Sequence, residues 1–429
     1  MSEHNKPVPE LASPSRRQAL KNLGLAGGGL VVGAVGGYGL LKTEAGQIGA
    51  KPSAAGDDPT RQSLPFKGQH QSGVIDPEQQ EAIFIAFTVV GKDKGAVAEL
   101  FHKLSDKIAF LTQGGEQPTR DGRYPPPESG ILGDYIHPDG LSITASVGAS
   151  LFDERYDLAA HRPKHLIEMP AFPNDALDAS WCDGDLLLQI CANSRETVIY
   201  AVRDIVKTFS GRLVAQWKMD GFLPARDIRH GHTPINLFGF KDGTGNAPAS
   251  DKKLMDEIVW VNKGSGEPAW AVGGSYQVVR LIRFFLEFWD RTPLGEQEVD
   301  FGRQKASGAA FGQKTEFDDP AFHKDPDGKV TPYDSHMRRA EPRDPERYTS
   351  KLRRRSYSYS LGLTKSSQLD MGLIFVCYQQ DLDTGFVSTQ KRLDGEPLEE
   401  YIKPFGGGYY FALPGITDER YLGQSLFEA

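Results

Sequence analysis

From about Glu81 onward, apolar segments of strand length alternate with segments of helical periodicity. Residues 82–90 predict a buried strand, and residues 96–110 predict a helix with apolar side chains on one face. The segments LLLQICANSRETV from Leu186 and LIFVCYQQDLDTG from Leu373 repeat this order about 187 residues apart. The repetition predicts a duplicated unit in which helices pack on one face of an antiparallel sheet.

The predicted fold class is therefore α+β, with two ferredoxin-like units that each contain such a sheet. The polar segment 220–233 separates the two halves. It makes residues 72–228 the predicted N-terminal domain and residues 229–429 the predicted C-terminal domain. In the second half, residues 277–288 predict a long strand. Residues 306–345 predict a long irregular loop, and such loops are often functional.

Residues 1–50 differ in composition from the rest of the chain. Arg16 and Arg17 precede a glycine-rich run without charge, residues 22–41. This order is typical of bacterial twin-arginine signals and predicts export to the periplasm. The uncharged run is also long enough for the alternative, an uncleaved anchor that holds the protein at the outer face of the membrane. Residues 51–71, rich in Pro, Gly, Ser and Ala, predict a linker.

Charge and cysteine content exclude several classes of function. The 429 residues include 49 Lys and Arg against 57 Asp and Glu, so a net charge of −8 leaves no broad basic surface for nucleic acid. The three cysteines form no CxxC or CxxCH motif, which excludes thiolate zinc sites and covalently attached c-type haem. Cys182 and Cys191 could pair after export or remain buried thiols, and the sequence leaves both open.

Three polar motifs stand in the second half of the chain. GFKDGTGN places glycines on both sides of Asp242, which lets the backbone approach a bulky ligand. SHMRRAEPR places His336 in the irregular region, and LRRRSYSYS from Leu352 places a basic cluster before an aromatic strand. Alone, each motif is more typical of a turn, a structural histidine or a solvated sheet edge.

Together, the order and spacing of these motifs closely resemble the dye-decolorising peroxidases, in particular their exported deferrochelatase/peroxidase branch. The resemblance covers essentially the whole chain, including FLTQGG from Phe110, SLFDER from Ser150 and GGSYQVVR from Gly273. GFKDG contains the GxxDG signature of the family. The resemblance implies one non-covalent haem b per subunit, bound in the C-terminal half, and a homodimer.

The resemblance also implies roles for individual residues. His336 matches the axial ligand of the haem iron, Asp242 the distal acid/base and Arg354 the distal arginine. A carboxylate hydrogen-bonded to His336 would increase the electron donation of its ring to iron. Glu400 is the candidate for this carboxylate, and an exposed acid on a helix is an equally open interpretation of Glu400. Further haem contacts are expected from Gly243, Thr244, Gly245, Glu341, Pro342, Arg343, Leu373 and Phe375, as well as from Arg354 itself.

The residue types fit the chemistry of hydrogen peroxide. Cleavage of its O–O bond needs a proton moved from one oxygen to the other, and an ionised Asp242 can shuttle it. Arg354 would stabilise the developing charge and keep Asp242 ionised. A carboxylate base predicts activity weighted toward acidic pH. Arg343 is expected to meet a haem propionate, whereas Glu341 stands where the family's asparagine is expected.

Two functions share these residues. The first is a haem peroxidase that reduces hydrogen peroxide, oxidises aromatic dyes, phenols or ferrous iron, and acts beside an iron-uptake permease and a periplasmic partner. The alternative is a deferrochelatase or haem carrier that releases iron with the porphyrin intact. A third class, non-haem solute binding, would require His336→Ala to leave cofactor content unchanged. Four aromatic residues, Tyr357, Tyr359, Trp260 and Trp289, are available for electron entry, although such residues are more often core.

Overall fold

The structure is a computed structural model that describes residues 58–343 and 352–429. The four long strands of the N-terminal half are β1 (Glu81–Val89), β4 (Ser142–Gly148), β5 (Leu186–Ala192) and β6 (Leu213–Phe222). They pair antiparallel in the order β4-β5-β1-β6. Between β1 and β4, the short strands β2 (Gly115–Glu116) and β3 (Tyr135–Ile136) form a separate two-stranded sheet.

The C-terminal half repeats this arrangement. Its long strands are β7 (Ser275–Phe284), β9 (Tyr357–Leu363), β10 (Leu369–Gln379) and β11 (Ile402–Ala412), and the two-residue β8 (Arg353–Arg354) pairs with β10. The order is β11-β7-β10-β9, so in each half the fourth strand lies beside the first, the first beside the third, and the third beside the second. The predicted α+β fold with duplicated ferredoxin-like units is confirmed.

The two sheets join at both ends. β4 pairs with β11, and β6 meets β9 through one residue pair, Phe222 and Ser358. The eight long strands therefore close into a ring. Side chains from both sheets form one buried cluster, which includes Phe84, Leu187, Tyr357, Ile374, Val376 and Tyr410.

The helices differ between the halves. In the N-terminal half, α1 (Lys94–Gln113) and α2 (Arg195–Thr208) follow β1 and β5. The helices of the C-terminal half are shorter, namely α3 (Ala225–His230), α4 (Lys252–Ile258), α5 (Leu286–Trp289), α6 (Leu294–Phe301), α7 (His336–Ala340), α8 (Ser388–Leu393), which extends a π-helical turn at Asp383–Val387, and α9 (Gln424–Phe427). Among the described residues, no helix has both the length and the apolar character that a membrane crossing requires.

Two sequence predictions need correction. The strand expected over residues 277–288 ends at Phe284, because the residues that follow form α5, from which Leu286 and Trp289 pack in a separate cluster. The predicted linker, residues 51–71, packs against the body from Pro59 onward. Gln71 Nε2 donates to Ala145 O and to Leu413 O at 2.8 Å each. A composition rich in Pro and Gly does not reveal such specific side-chain bonds.

Residues 59–429 form one compact unit. The predicted boundary at residues 228 and 229 falls within α3, so a division into two separately folding domains stays a prediction. Cys182 and Cys191 are free thiols. The predicted export signal, residues 1–50, and the first part of the predicted linker lie outside the described residues.

Candidate active site

The GFKDGTGN segment forms a tight loop that brings Asp242 to a cavity. Before it, Asn236 Oδ1 accepts hydrogen bonds from the backbone N–H groups of Phe238 and Phe240. The backbone N–H of Asp242 donates to Pro234 O at 2.8 Å. These bonds hold the backbone from which the Asp242 carboxylate reaches the cavity.

Arg354 contacts Asp242 from β8. Its Nη1 donates to Asp242 Oδ1 at 2.9 Å, and both side chains are partly buried. Asn246 holds the backbone of Arg354, because its Nδ2 donates to Arg354 O at 2.9 Å and its Oδ1 accepts from Arg354 N at 3.0 Å. Two predicted site residues that are 112 positions apart thus form a charge-assisted pair.

His336 is the first residue of α7 and lines the same cavity. Its Nδ1 donates to Glu396 Oε2 at 2.7 Å, and Glu396 is 4% exposed. Burial lowers the pKa of His336, but the charge of Glu396 and the hydrogen bond to it outweigh burial and raise the pKa above its ordinary value. With Nδ1 engaged, Nε2 is the ring nitrogen left to bind a metal.

Glu396, and not Glu400, is the carboxylate beside His336, so the prediction of Glu400 is wrong. Both residues belong to the EPLEEY segment, in which Glu396 directly precedes the 3-10 turn Pro397–Glu400 and Glu400 ends it. The pKa of Asp300 is raised to about 6 by burial, by Glu296 and by Glu400. Glu400 lies among the acidic groups around Asp300, which also include Asp334 and Glu396, but only Glu396 bonds to His336.

The cavity has a volume of about 500 Å³, which is in the range of cofactor pockets. Besides Asp242, Arg354, His336 and Glu396, its wall includes most of the predicted haem contacts, namely Thr244, Gly245, Glu341, Pro342, Arg343, Leu373 and Phe375. Gly243 is not part of the wall that the described residues form, although it was predicted there. Its φ of 130° is a conformation that favours glycine, so the loop geometry explains this residue.

The wall combines apolar and cationic surfaces that fit a haem. Leu373 and Phe375 line it with apolar side chains, and Arg303 and Arg343 add guanidinium groups. Burial, together with the nearby positive charges of Arg343 and Arg354, lowers the pKa of Arg303 to about 10. Haem requires a histidine nitrogen for its iron, an apolar wall for its porphyrin and guanidinium groups for its carboxylates. The cavity provides all three.

Glu341 lies on the arginine side of the cavity. A Cβ atom added to Gly245 would stand 3.5 Å from Glu341 Oε2 and 3.8 Å from Arg354 Nη2. Arg343 follows with a φ of 54°, and its Nη1 donates to Asp319 Oδ1 at 3.4 Å. The cavity therefore presents a second carboxylate, Glu341, near the Asp242–Arg354 pair.

The other two arginines of the LRRRSYSYS motif are structural. Arg353 and Arg355 are 8% and 1% exposed, so they do not form a solvated edge. Arg355 is held by Gln79 Oε1, which accepts from its Nη2 at 2.5 Å. The four aromatic residues considered for electron entry, Tyr357, Tyr359, Trp260 and Trp289, are all buried core residues.

Sequence reasoning missed three polar residues that hold the site. Asn246 ends the GFKDGTGN motif and Glu396 begins the EPLEEY segment, so both had a signal in the motifs themselves. Glu316 accepts hydrogen bonds from Lys241 and Thr244 but stands in the irregular region, where no motif marks it.

Comparison with known proteins places the whole fold in one family. Residues 71–223 match the family model "Dyp-type peroxidase, N-terminal", and residues 233–417 match "Dyp-type peroxidase, C-terminal". A deferrochelatase of Yersinia pseudotuberculosis is 51% identical over 428 residues, which cover 99% of this chain and 97% of the relative. A deferrochelatase of Escherichia coli O6:K15:H31 is 52% identical over 420 residues, covering 96% and 97%.

Solved structures agree with the sequence matches. A DyP-type peroxidase from Cellulomonas bogoriensis has a TM-score of 0.77 at 31% identity and covers 87% of this chain and 100% of its own. Ferric DtpA from Streptomyces lividans has a TM-score of 0.78 at 31% identity, covering 86% and 98%. These similarities confirm the resemblance found in the motifs. The chain belongs to the Dyp-type peroxidase family.

Proposed function

We propose that this chain binds haem b non-covalently and reduces hydrogen peroxide while oxidising aromatic dyes, phenols or ferrous iron. One observation carries the proposal: the Asp242–Arg354 pair and the His336–Glu396 pair line the same cavity. Haem storage needs a histidine and an apolar wall, but it has no use for an acid paired with an arginine. Membership of the Dyp-type peroxidase family supports the same function.

The Asp242–Arg354 pair can move the proton that peroxide reduction requires. When bound, haem supplies the iron that binds peroxide and exchanges electrons. Asp242 accepts a proton from one peroxide oxygen and returns it to the other. Arg354 stabilises the negative charge that develops on the leaving oxygen. Reduction of one hydrogen peroxide to two waters consumes two electrons, which the dye, phenol or ferrous iron provides, and two protons from solvent.

The His336–Glu396 pair orients the imidazole ring that would bind the haem iron. Because Glu396 occupies Nδ1, the lone pair of Nε2 is available to iron, and the carboxylate makes the ring a stronger donor. The ring of Phe301 lies near that of His336, with 6.0 Å between the ring centroids. These residues hold the haem and leave proton transfer to Asp242.

The proposal is tested with Asp242→Asn in the haem-loaded protein. We expect kcat/KM for hydrogen peroxide to fall about 10²- to 10⁴-fold, because the amide cannot shuttle a proton, with haem content unchanged. Asp370→Asn is the matched control, since Asp370 is a partly buried carboxylate paired with Arg283 at 3.0 Å outside the cavity wall. Peroxide turnover that survives Asp242→Asn would contradict the role given to this residue.

A second candidate function is the release of iron from haem with the porphyrin intact, as the name of the deferrochelatase relatives indicates. Iron release returns two protons to the porphyrin nitrogens, and Asp242 and Glu341 are carboxyl groups on the cavity wall. Fluorescence of metal-free porphyrin in the haem-loaded protein, without peroxide, would support this activity. Its absence together with dye oxidation would leave the peroxidase as the function.

The location and partners of the protein are part of the same proposal. We propose export by the twin-arginine route to the periplasm, with an uncleaved anchor as the alternative, on the basis of residues 15–41. A homodimer and an iron-uptake permease with a periplasmic partner follow from the branch that the chain resembles. Retention in the cytoplasm after replacement of Arg16 and Arg17 by lysine would support the route, and unchanged export would contradict it.

A further inference from the structure

A single buried carboxylate holds the loop of Asp242 on both sides. Glu316 Oε1 accepts from Lys241 Nζ at 2.5 Å, and Glu316 Oε2 accepts from Thr244 Oγ1 at 2.8 Å. Lys241 directly precedes Asp242 and Thr244 follows two residues after it. The Glu316 side chain is 8% exposed, so its bonds are largely shielded from solvent.

The environment of Glu316 keeps it charged and fixed in place. Burial raises the pKa of this carboxyl, but hydrogen bonds from Lys241, Thr244 and Thr233 outweigh burial and lower the pKa below its ordinary value. Arg303 Nη1 donates to Glu316 O at 3.2 Å, which holds the backbone as well. These contacts favour the anionic form of Glu316, which is the form that binds Lys241.

Close packing leaves little room for the loop to move. Gly308 has a φ of 74°, and a Cβ atom placed on it would lie 2.8 Å from Lys241 Cδ and 3.2 Å from Glu316 Cβ. Gly308, Glu316 and His336 all belong to the irregular region 306–345. Glu316 thus links the segment that carries Asp242 to the segment that carries His336.

We propose that Glu316 is a positioning residue, which holds the Asp242 carboxylate at Arg354 by fixing Lys241 and Thr244. The inference rests on the proposed peroxidase function and deepens it. A carboxylate that shuttles a proton must be placed to within a fraction of an ångström of the peroxide oxygens. Glu316 supplies that placement from outside the Asp242 loop without touching peroxide.

The test is Glu316→Gln in the haem-loaded full chain. The amide keeps the shape of the side chain but loses the charge that binds Lys241. We expect kcat/KM for hydrogen peroxide to fall about tenfold, with haem content and the KM for the dye unchanged. In an Asp242→Asn background the same substitution should have no further effect, because Glu316 acts through Asp242.

Two further variants keep the test decisive. Thr244→Val removes the second bond to Glu316 and should also lower kcat/KM, so the proposal stays testable if Glu316→Gln folds poorly. Glu128→Gln is the matched control: Glu128 is 3% exposed, is paired with Arg120 at 2.8 Å and lies outside the cavity wall, so kcat/KM should not change.

Three results would overturn the inference: wild-type kcat/KM in both Glu316→Gln and Thr244→Val, loss of haem from Glu316→Gln, or an equal tenfold fall in the Asp242→Asn background. The proposed function would fail through a different result, namely peroxide turnover that is retained by Asp242→Asn itself. The two ideas are therefore separated by the same set of variants.

Discussion

In the N-terminal half, α1 and α2 run for 20 and 14 residues, whereas no described α-helix of the C-terminal half exceeds eight residues. The two sheets have the same strand order, so the helices make the difference. The long helices fill their face of the sheet with buried side chains, which include Val97, Leu100, Leu104, Ile108, Val198 and Ile205. In the C-terminal half, short helices and a long loop leave the corresponding space open as the cavity.

The same supersecondary unit can therefore serve stability in one half and chemistry in the other, depending on what covers its sheet. Where helices are long, each turn adds apolar side chains to a dry core. Where they are short, the connections bring polar groups together, and His336, Glu396 and Asp242 all lie at helix starts or in loops. Rigid strands then hold these groups in place.

Among substitutions that affect the two halves differently, His336→Ala is expected to have the largest effect. Loss of the ring nitrogen should abolish haem binding by the full chain, measured as haem absorbance after reconstitution, while the folded state is retained. The matched change in the N-terminal half is Leu100→Ala, which leaves a cavity in the apolar core under α1. It should lower the free energy of unfolding by about 2–5 kcal/mol without changing haem content. Haem retained by His336→Ala would contradict the role of the C-terminal half in binding haem through this residue.

The next largest effect is expected where the halves meet. Asp175 of the N-terminal half and Arg280 of β7 form an ion pair, with Nη2 and Oδ1 2.5 Å apart and both side chains at most 2% exposed. Asp175→Ala leaves Arg280 buried without its partner and should lower the free energy of unfolding by about 3–5 kcal/mol in urea titrations. Glu419→Ala, which removes the exposed pair with Lys67, should leave unfolding unchanged. Equal effects of the two substitutions would show that the halves are not coupled here.

The smallest effect is a dependence of folding stability on pH, which arises where the two halves meet. Burial raises the pKa of Asp183 to about 6, and Tyr410 of β11 donates to Asp183 O at 2.8 Å. Because the folded state binds the proton more tightly than the unfolded state, stability falls as pH rises from about 4 to 6. Asp183→Asn should remove this loss and add up to about 3 kcal/mol above pH 6, with little effect below pH 4.

Asp157→Asn is the control for this pH dependence. Asp157 has the same left-handed backbone as Asp183, with φ of 54° at both residues, but its side chain is exposed. Its substitution should change stability by the same amount at every pH. A flat difference for Asp183→Asn between pH 4 and pH 7, measured by thermal unfolding, would contradict the effect of burial.

The predictions from sequence were accurate where a local pattern carries the information. The strand at Leu186–Ala192, the helix after it and the repeat at an offset of about 187 residues follow from periodicity. The three site motifs follow from their joint resemblance to the dye-decolorising peroxidases. His336, Asp242 and Arg354 each stand in such a motif, and the structure places all three on one cavity wall. Their roles in catalysis stay predictions until variants are measured.

Tertiary structure alone decided how these patterns combine. Glu396 and Glu400 have similar sequence surroundings, and only the fold shows that Glu396 meets His336 at 2.7 Å. The bond between Asp242 and Arg354 spans 112 residues, and the contact of Glu316 with Lys241 spans 75. Local sequence determines which segments become strands and helices, because periodicity acts over neighbouring residues. Partners that are distant in the chain depend on how the two sheets close and which loops they bring together.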